Sequence, residues 1–375
     1  MTQKVSSWKR PGAAGVGRAV VVALALAAVA ASDQWVIFKG QVNGPAKTRG
    51  IDLETFRSRP YPGRFWEDGY YHYLVFPDRS VITVSASFNR SEANLAFVYA
   101  KPGVKPLKSY VITDVEEAQF DDQGFGFVIG KNRVRLEGSR YTLDLDLDRT
   151  RAKIEYDLIG PSYTYGDGMV RYPDGDTFMY YSMPIPWARV HVQAVLDGKE
   201  YALDGYGNMN HDAGSMFAAY NPWNWQVFYL FGEDHALVVA DHFTHEKFGR
   251  ALIQRLVFVD KTGRVFTSTS YPLHWDDWAE AKGVPFRYPR HYLLKAEGQG
   301  ASLSAEVKAR ETVLQEDLFS NLPGYMRLVA KRLIENVWTV DSWSDYTITY
   351  RHEGAAETYQ GRGVVRWTNL EEEQP

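Results

Sequence analysis

The side chains best suited to catalysis or polar binding are concentrated in one stretch, residues 204–229. It contains His211 and Asp212, several amides, and glycines that let other groups approach the backbone closely. Burying so many polar groups is costly unless each has a partner, so the stretch indicates either a functional site or a well-paired corner of a sheet. Trp223 and Trp225 follow and alternate with polar amides. This pattern predicts a kinked strand, a polar loop around the glycines, and then a half-buried aromatic strand.

Three side chains are candidates for acid–base chemistry: His211, Asp212 and Asp241. Asp241 follows the apolar run 236–240, and an apolar site would keep its carboxyl group protonated. A protonated carboxylic acid can deliver its proton to an alkene carbon, and aromatic faces can stabilise the carbocation that results. The alternative for Asp241 is a solvated acid at the end of a strand.

The sequence lacks the motifs that mark several other common kinds of active site. The sequence has no nucleotide-binding glycine motif and no Gly-x-Ser-x-Gly elbow. Residues 241–246 contain His242-x-x-His245, but residues three apart on a strand point to opposite faces. We therefore predict neither a metal site nor a cofactor. The chain has no cysteine, which excludes disulfides and thiolate chemistry.

Charge and hydropathy suggest the compartment and the partners. Lys4, Lys9, Arg10 and Arg18 precede a short apolar run, residues 19–31, that contains Ala-Val-Ala. This pattern predicts a secretory signal peptide over residues 1–30 and an exported, periplasmic protein, the alternative being an uncleaved anchor. Without the leader, the chain has 38 basic and 46 acidic residues. That balance argues against nucleic-acid binding, and no later segment is long enough to span a membrane.

Short alternating segments predict an all-β protein. The clearest hairpin joins residues 141–148 to residues 151–158, with leucines alternating with aspartates on the first strand. A turn at Arg149-Thr150 would place Asp146 opposite Lys153, with Ile154 on the buried face. One segment differs: Tyr325, Val329, Leu333 and Val337 recur at helical spacing, which predicts an amphipathic helix packed on the second half.

The glycine turn resembles a known family. Gly205-Tyr206-Gly207, His211, Trp223 and Trp225 resemble the signature of the lipocalin-like proteins that include carotenoid 1,2-hydratases, AttH-type proteins and Svf1-type survival factors. Residues 359–364 are similar to that family's last barrel strand. The resemblance implies two tandem lipocalin-like antiparallel β-barrels, which we place at residues 32–186 and 187–370. The boundary falls at the stiff segment Pro184-Ile185-Pro186.

The resemblance also implies site residues. The hydratases of the family carry a His-x-Trp and a Tyr-x-Asp, which match residues 211–213 and 239–241 here. His211 and Asp241 are present, whereas the tryptophan and the tyrosine are replaced. We therefore select His211 and Asp241 as catalytic candidates.

Four aromatic residues are candidates to line a cavity for an apolar ligand: Tyr206, Trp223, Trp225 and Phe228. Their alternative role is packing in a barrel core. The two missing residues favour a protein that binds a hydrophobic lipid or isoprenoid. The alternative is a lyase or isomerase acting on a polyene or terpenoid, such as a hydratase.

Overall fold

A computed structural model describes residues 36–37, 50–57, 66–121, 125–172, 178–215, 222–244, 251–298, 300–317 and 338–369. The predicted signal peptide and the predicted helix around Val329 lie outside these ranges. The described residues contain two 3₁₀ turns, Leu53–Thr55 and Val115–Glu117, and no α-helix. Within these ranges, no helix is long and apolar enough to cross a membrane.

The prediction of an all-β protein is confirmed, because the described chain folds into two antiparallel sheets. The strands of the first sheet are β1 (Val36–Ile37), β2 (Trp66–Val75), β3 (Val81–Asn89), β4 (Glu92–Lys101), β5 (Val104–Asp114), β6 (Gln119–Phe120), β7 (Phe125–Ile129), β8 (Asn132–Glu137), β9 (Arg140–Leu147), β10 (Thr150–Leu158), β11 (Tyr163–Arg171), β12 (Phe178–Leu196) and β13 (Lys199–Ser215). The strands of the second sheet are β14 (Pro222–Phe231), β15 (His235–Thr244), β16 (Leu252–Ile253), β17 (Leu256–Asp260), β18 (Val265–Ser268), β19 (Leu273–Glu280), β20 (Arg287–Gly298), β21 (Ala301–Asp317), β22 (Trp338–His352) and β23 (Ala355–Asn369).

Each sheet curls around its own apolar core. The order in the first sheet is β5-β4-β3-β2-β13-β12-β10-β9-β8-β7-β6, with β11 pairing with β1 and β12 off this path. The order in the second sheet is β18-β17-β15-β14-β23-β22-β21-β20-β19, with β16 beside β15. The two sides of each curled sheet approach each other, since β5 contacts β9 and β18 contacts β20.

A third apolar cluster lies between the sheets, and we call it the seam. Both sheets contribute to it, for example through Tyr73 and Tyr181 from the first sheet and Tyr229 and Val257 from the second. The Tyr73 and Tyr229 rings stack with their centroids 3.8 Å apart. A strand can face its own core with alternate residues and the seam with the others, because successive side chains point to opposite faces.

The chain passes from the first sheet to the second between Ser215 and Pro222. Pro184-Ile185-Pro186, where the sequence predicted the boundary between the barrels, lies inside β12 of the first sheet. The pairing of β12 with β13 shifts register on both sides of Ile185. Such irregularities allow proline, which has no N–H to donate, to lie within a strand.

The prediction of a polar loop after Asp204 is wrong, because β13 continues to Ser215. Two of its glycines serve close packing. A Cβ atom at Gly205 would lie 2.3 Å from the Val75 carbonyl oxygen, and one at Gly207 would lie 2.6 Å from a methyl carbon of Leu74. The glycines therefore let β2 and its side chains press against β13.

The charged hairpin forms with the predicted faces and a different register. Asp148 and Arg149 form the turn, so Lys153 pairs with Asp144 and Ile154 with Leu143. This register is two residues from the predicted one, and it places Glu155 opposite the neutral Thr142. A shift of two residues leaves every side chain on the same face, so Ile154 is fully buried as predicted.

Candidate functional site

His211 lies inside the first sheet, in a fully buried polar contact. Its Nε2 atom lies 2.6 Å from the Asp68 carboxylate, and its Nδ1 atom lies 2.8 Å from the Thr55 carbonyl oxygen. A carbonyl oxygen can only accept, so Nδ1 carries a hydrogen. The ring also stacks on Tyr70, with centroids 4.5 Å apart. The contact with Thr55 attaches the 3₁₀ turn at residues 53–55 to strand β13 of the first sheet.

Asp241 lies inside the second sheet and is also fully buried. It accepts hydrogen bonds from the Tyr271 hydroxyl and, at 3.2 Å, from the Gln226 side-chain amide. Burial raises the pKa of Asp241 to about 6, although both hydrogen bonds oppose that shift. Phe228 faces the same interior and meets Tyr292 edge to face at 5.1 Å. The structure thus places His211 and Asp241 in the cores of different sheets.

Tyr206 and Trp225 reach the seam, where both are half-buried. Trp223 belongs to the same strand as Trp225, β14. Tyr206 and His211 are separated by five residues along β13, and the strand pairs with β2 without a register shift between them. An odd separation on a regular strand sends the two side chains to opposite faces. Tyr206 therefore faces the seam, as Trp225 does, whereas His211 faces the core of the first sheet.

A polar cluster lies in the seam beside Trp225. It contains Asp212 from β13, Tyr181 from β12, His242 from β15 and Arg255, which precedes β17. Tyr181 and Asp212 are cross-strand partners, as are Trp225 and His242. The Arg255 guanidinium lies 3.7 Å above the Tyr181 ring and donates to the Ala240 carbonyl oxygen at 3.2 Å.

The geometry makes His242 a neutral imidazole. Arg255 Nη2 lies 3.1 Å from His242 Nε2 and 3.3 Å from His242 Nδ1, and a guanidinium can only donate. The ring nitrogen that accepts from Arg255 carries no hydrogen, so the imidazole is neutral. Nδ1 also lies 3.2 Å from the Tyr181 hydroxyl oxygen. Burial and then the positive charge of Arg255 hold the pKa of His242 well below its ordinary value.

Asp212 is the one acid of this cluster among the described residues, and its carboxylate makes no hydrogen bond or ion pair within them. Burial raises its pKa to about 6, although the charge of Arg255 opposes the shift. The side chain nevertheless keeps partial contact with solvent. Glu67 is also half-buried, and its pKa is raised by burial and then by Asp68 and Asp212.

Three further polar atoms are buried near the seam without a hydrogen-bond partner in the described part of the chain. They are the indole nitrogens of Trp187 and Trp343 and the Oδ1 atom of Asn208. Both tryptophans belong to the seam cluster, and Asn208 is on the same face of β13 as Tyr206. Buried polar groups without partners are uncommon in folded proteins, so these atoms indicate a place for a ligand or water.

A second set of polar residues in the seam links the two sheets by hydrogen bonds. Arg366 makes two hydrogen bonds of 2.8 Å to Asp341, which also accepts at 2.8 Å from the Tyr73 hydroxyl of the first sheet. Asp341 is fully buried, and its negative charge helps to raise the pKa of Arg366 despite burial. All groups here are paired, so this contact has a structural role.

Sequence reasoning missed Tyr181 and Arg255, which carry no local signature, and considered His242 only as a metal ligand. Within the described ranges, no group of three or more His, Cys, Asp or Glu side chains could hold a metal ion. His245 and Glu246 lie outside those ranges.

Comparison with known proteins identifies similar folds. No family model matches the sequence, and no curated protein matches it. Among solved structures, CghA with Sch210972 aligns with a TM-score of 0.60 at 11% identity, covering 91% of this chain and 100% of CghA. An AttH candidate from Nitrosomonas europaea aligns with a TM-score of 0.58 at 12% identity, covering 86% of this chain and 98% of that one.

Kievitone hydratase from Nectria haematococca aligns with a TM-score of 0.50 at 12% identity, covering 88% of this chain and 98% of the hydratase. At such low identity, the alignments establish the fold alone. They confirm the resemblance that the glycine turn and the tryptophans indicated. The chain therefore has the two-sheet, lipocalin-like fold shared by AttH-type and hydratase-type proteins.

Proposed function

We propose that this protein binds a hydrophobic small molecule of the lipid or isoprenoid type in the seam between its two sheets. One observation carries the proposal: the half-buried carboxyl group of Asp212 makes no hydrogen bond or ion pair among the described residues, in a cluster that also contains Tyr181 and borders Trp225. Ligand sites are typically apolar cavities in which a few polar groups fix the orientation of the ligand. Asp212 is suited to contact the polar end of such a molecule, for example a hydroxyl group.

The aromatic neighbours support an apolar body for the ligand. Trp225 and Tyr206 are half-buried, so part of each ring is available for contact. The ring centroids of Trp225 and His242 lie 6.3 Å apart, and those of Tyr206 and Trp187 lie 6.4 Å apart. The name of one structural neighbour, kievitone hydratase, and the small molecule named with CghA are consistent with small-molecule chemistry on this fold.

A second candidate function is a hydratase-type lyase or an isomerase acting on a polyene or terpenoid. The observation that favours it is the pKa of Asp212, which is about 6 and leaves a fraction of the carboxyl protonated near neutral pH. In a hydration, Asp212 would transfer its proton to an alkene carbon. Water would then add to the cation and return a proton to the carboxylate.

Arg255 weighs against this second function. Its guanidinium lies against Tyr181, and its charge acts on Asp212, so it would repel a cation formed by proton transfer from Asp212. The positive charge suits an electron-rich or anionic ligand group better than a developing carbocation. Binding is therefore the function that the seam supports best.

Two substitutions distinguish the binding function from the enzymatic function. Trp225→Ala should weaken the binding of farnesol, followed by quenching of tryptophan fluorescence, by about tenfold or more because a large contact area is lost. Trp66→Ala is the matched control, because Trp66 packs on the core of the first sheet. Asp212→Asn should leave farnesol affinity within about threefold if the protein only binds, because the asparagine Oδ1 atom can still accept a hydrogen bond from the hydroxyl group.

The enzymatic alternative predicts a different outcome for the same variant. If the protein is a hydratase, the wild type should convert a linear carotenoid to a hydroxylated product, and Asp212→Asn should abolish turnover with little change in affinity. Equal farnesol affinity in wild type, Trp225→Ala and Trp66→Ala would refute the seam as the binding site.

We also propose that the protein is exported to the periplasm. The short apolar run ending in Ala28-Val29-Ala30 supports cleavage close to Ala31. Intact-mass measurement of the exported protein should show the loss of residues 1–30. Retention of Met1 in a membrane fraction would contradict the proposal.

A further inference from the structure

The interior of the second sheet contains a polar site that the seam does not use. Asp241, Gln226 and Trp367 are cross-strand neighbours on β15, β14 and β23. Gln226 and Trp367 are almost completely buried, as is Asn224, two residues before Gln226 on the same face. Amides, an acid and an indole therefore meet at one end of this sheet's core.

Two buried acceptor atoms in this place have no donor among the residues that the structure describes. Gln226 Oε1 and Asn224 Oδ1 are buried without a hydrogen-bond partner in the described residues. The chemistry of the neighbours fixes the amide orientations. Gln226 donates through Nε2 to the Asp241 carboxylate, and Asn224 donates through Nδ2 to the Thr368 carbonyl oxygen at 2.8 Å. Each amide thus directs its carbonyl oxygen away from its partner, and an acceptor buried in this way is costly unless something donates to it.

Tryptophan rings lie beside these acceptors. Trp367 is flanked edge to face by Trp275 at 6.1 Å and by Trp278 at 5.8 Å. Trp275 and Trp278 are on β19, an edge strand of the sheet, and both are half-buried. A group of aromatic faces next to two unpaired acceptors is the arrangement expected of a site for a flat ring that carries a hydrogen-bond donor.

We propose that the interior of the second sheet is a second ligand site, separate from the seam, for an apolar ring compound that bears a hydroxyl group. The ring packs against Trp275, Trp278 and Trp367, and the hydroxyl group donates to Gln226 Oε1 or Asn224 Oδ1. Asp241 is a positioning residue in this site, because it holds the Gln226 amide so that its carbonyl oxygen faces inward.

The test compares two ring compounds of the same shape on the full chain by isothermal titration calorimetry. Naphthol carries the donor, and methylnaphthalene with the same substitution pattern replaces the hydroxyl group with a methyl group. Naphthol should bind the wild type about tenfold more tightly, because only it can satisfy a buried acceptor. Equal affinity for the two compounds, or no binding of either, would overturn the proposal without the need for any variant.

Variants then locate the site. The double variant Asn224→Leu with Gln226→Leu removes both acceptors at similar volume, and it should reduce the preference for naphthol to about twofold or less. Tyr156→Phe is the matched control. It removes from the core of the first sheet a buried hydroxyl group that has no hydrogen-bond partner in the described ranges, and it should leave the preference unchanged. Circular dichroism confirms that each variant is folded. A preference for naphthol that survives in the folded double variant would overturn the assignment.

Discussion

Replacing Asp241 with asparagine is expected to change how the stability of the protein depends on pH. The folded state raises the pKa of Asp241 from 3.8 to about 6. As the pH rises above the lower value, the unfolded chain releases its proton first, which favours unfolding. The wild type should therefore lose stability relative to Asp241→Asn as the pH rises through about 4 to 6, and the difference should become constant above about pH 7.

The size of the effect follows from the pKa shift. A shift of roughly two units corresponds to about 3 kcal/mol at full ionisation, since each unit is worth about 1.4 kcal/mol. About half of this, roughly 1–2 kcal/mol, should develop between about pH 5 and about pH 8. The amide introduced at position 241 does not titrate, so any cost of rearranging Gln226 or Tyr271 is the same at every pH and cancels.

The assay is urea unfolding of both proteins at about pH 5 and about pH 8, analysed by linear extrapolation. The reasoning predicts that the stability of the wild type minus that of Asp241→Asn becomes more negative at the higher pH. A difference that is the same at both pH values, or that changes in the opposite direction, would show that Asp241 ionises at least as easily in the folded protein as in the unfolded chain.

Urea unfolding also checks two further pairs of variants. Ile154→Asp should cost at least about 3 kcal/mol because it buries an unpaired charge, whereas Lys153→Glu on the exposed face should cost less than about 1 kcal/mol; similar losses would mean that the two faces are misassigned. Asp341→Asn should cost about 3–5 kcal/mol because Arg366 is left without its carboxylate, whereas Asp345→Asn at a partly exposed ion pair should cost less than about 1 kcal/mol. Equal effects of the two aspartate variants would contradict a structural role for the buried pair.

Local alternation in the sequence was sufficient to predict which side chains face a core. Ile154 is buried opposite the charged residues of its strand. This result needs only the period of two along a strand. The register of the hairpin was less certain, because a shift of two residues preserves every face and only charge pairing distinguishes the alternatives.

The composition of the seam could not be predicted in the same way. Tyr181, His242 and Arg255 are far apart in sequence from Asp212 or lie on the other sheet, so their contacts depend on how the two sheets pack. The relative position of His211 and Tyr206 could not be predicted either, for a local reason. The glycines indicated a loop, and only in a continuous strand do residues five apart lie on opposite faces.

The glycines of residues 205–207 also show that a glycine-rich sequence can form either a turn or a regular strand. Glycine weakens a strand, so its repetition usually indicates a turn or a bulge. Here Gly205 and Gly207 remain in a regular strand because neighbouring backbone and side chains occupy the space of a Cβ atom. This requirement arises from β2, which is more than one hundred residues earlier in the chain, and it leaves no signal in the local sequence.

The most direct test of ligand binding in the seam is mass spectrometry of the organic-soluble material that co-purifies with the protein from its own cells. The wild type should carry one apolar compound with a polar end. Trp225→Ala, purified in parallel, should carry much less of it, whereas Trp66→Ala should retain it. Retention of the same compound at the same occupancy in Trp225→Ala, or its absence from the wild type, would contradict the proposal that the seam is the binding site.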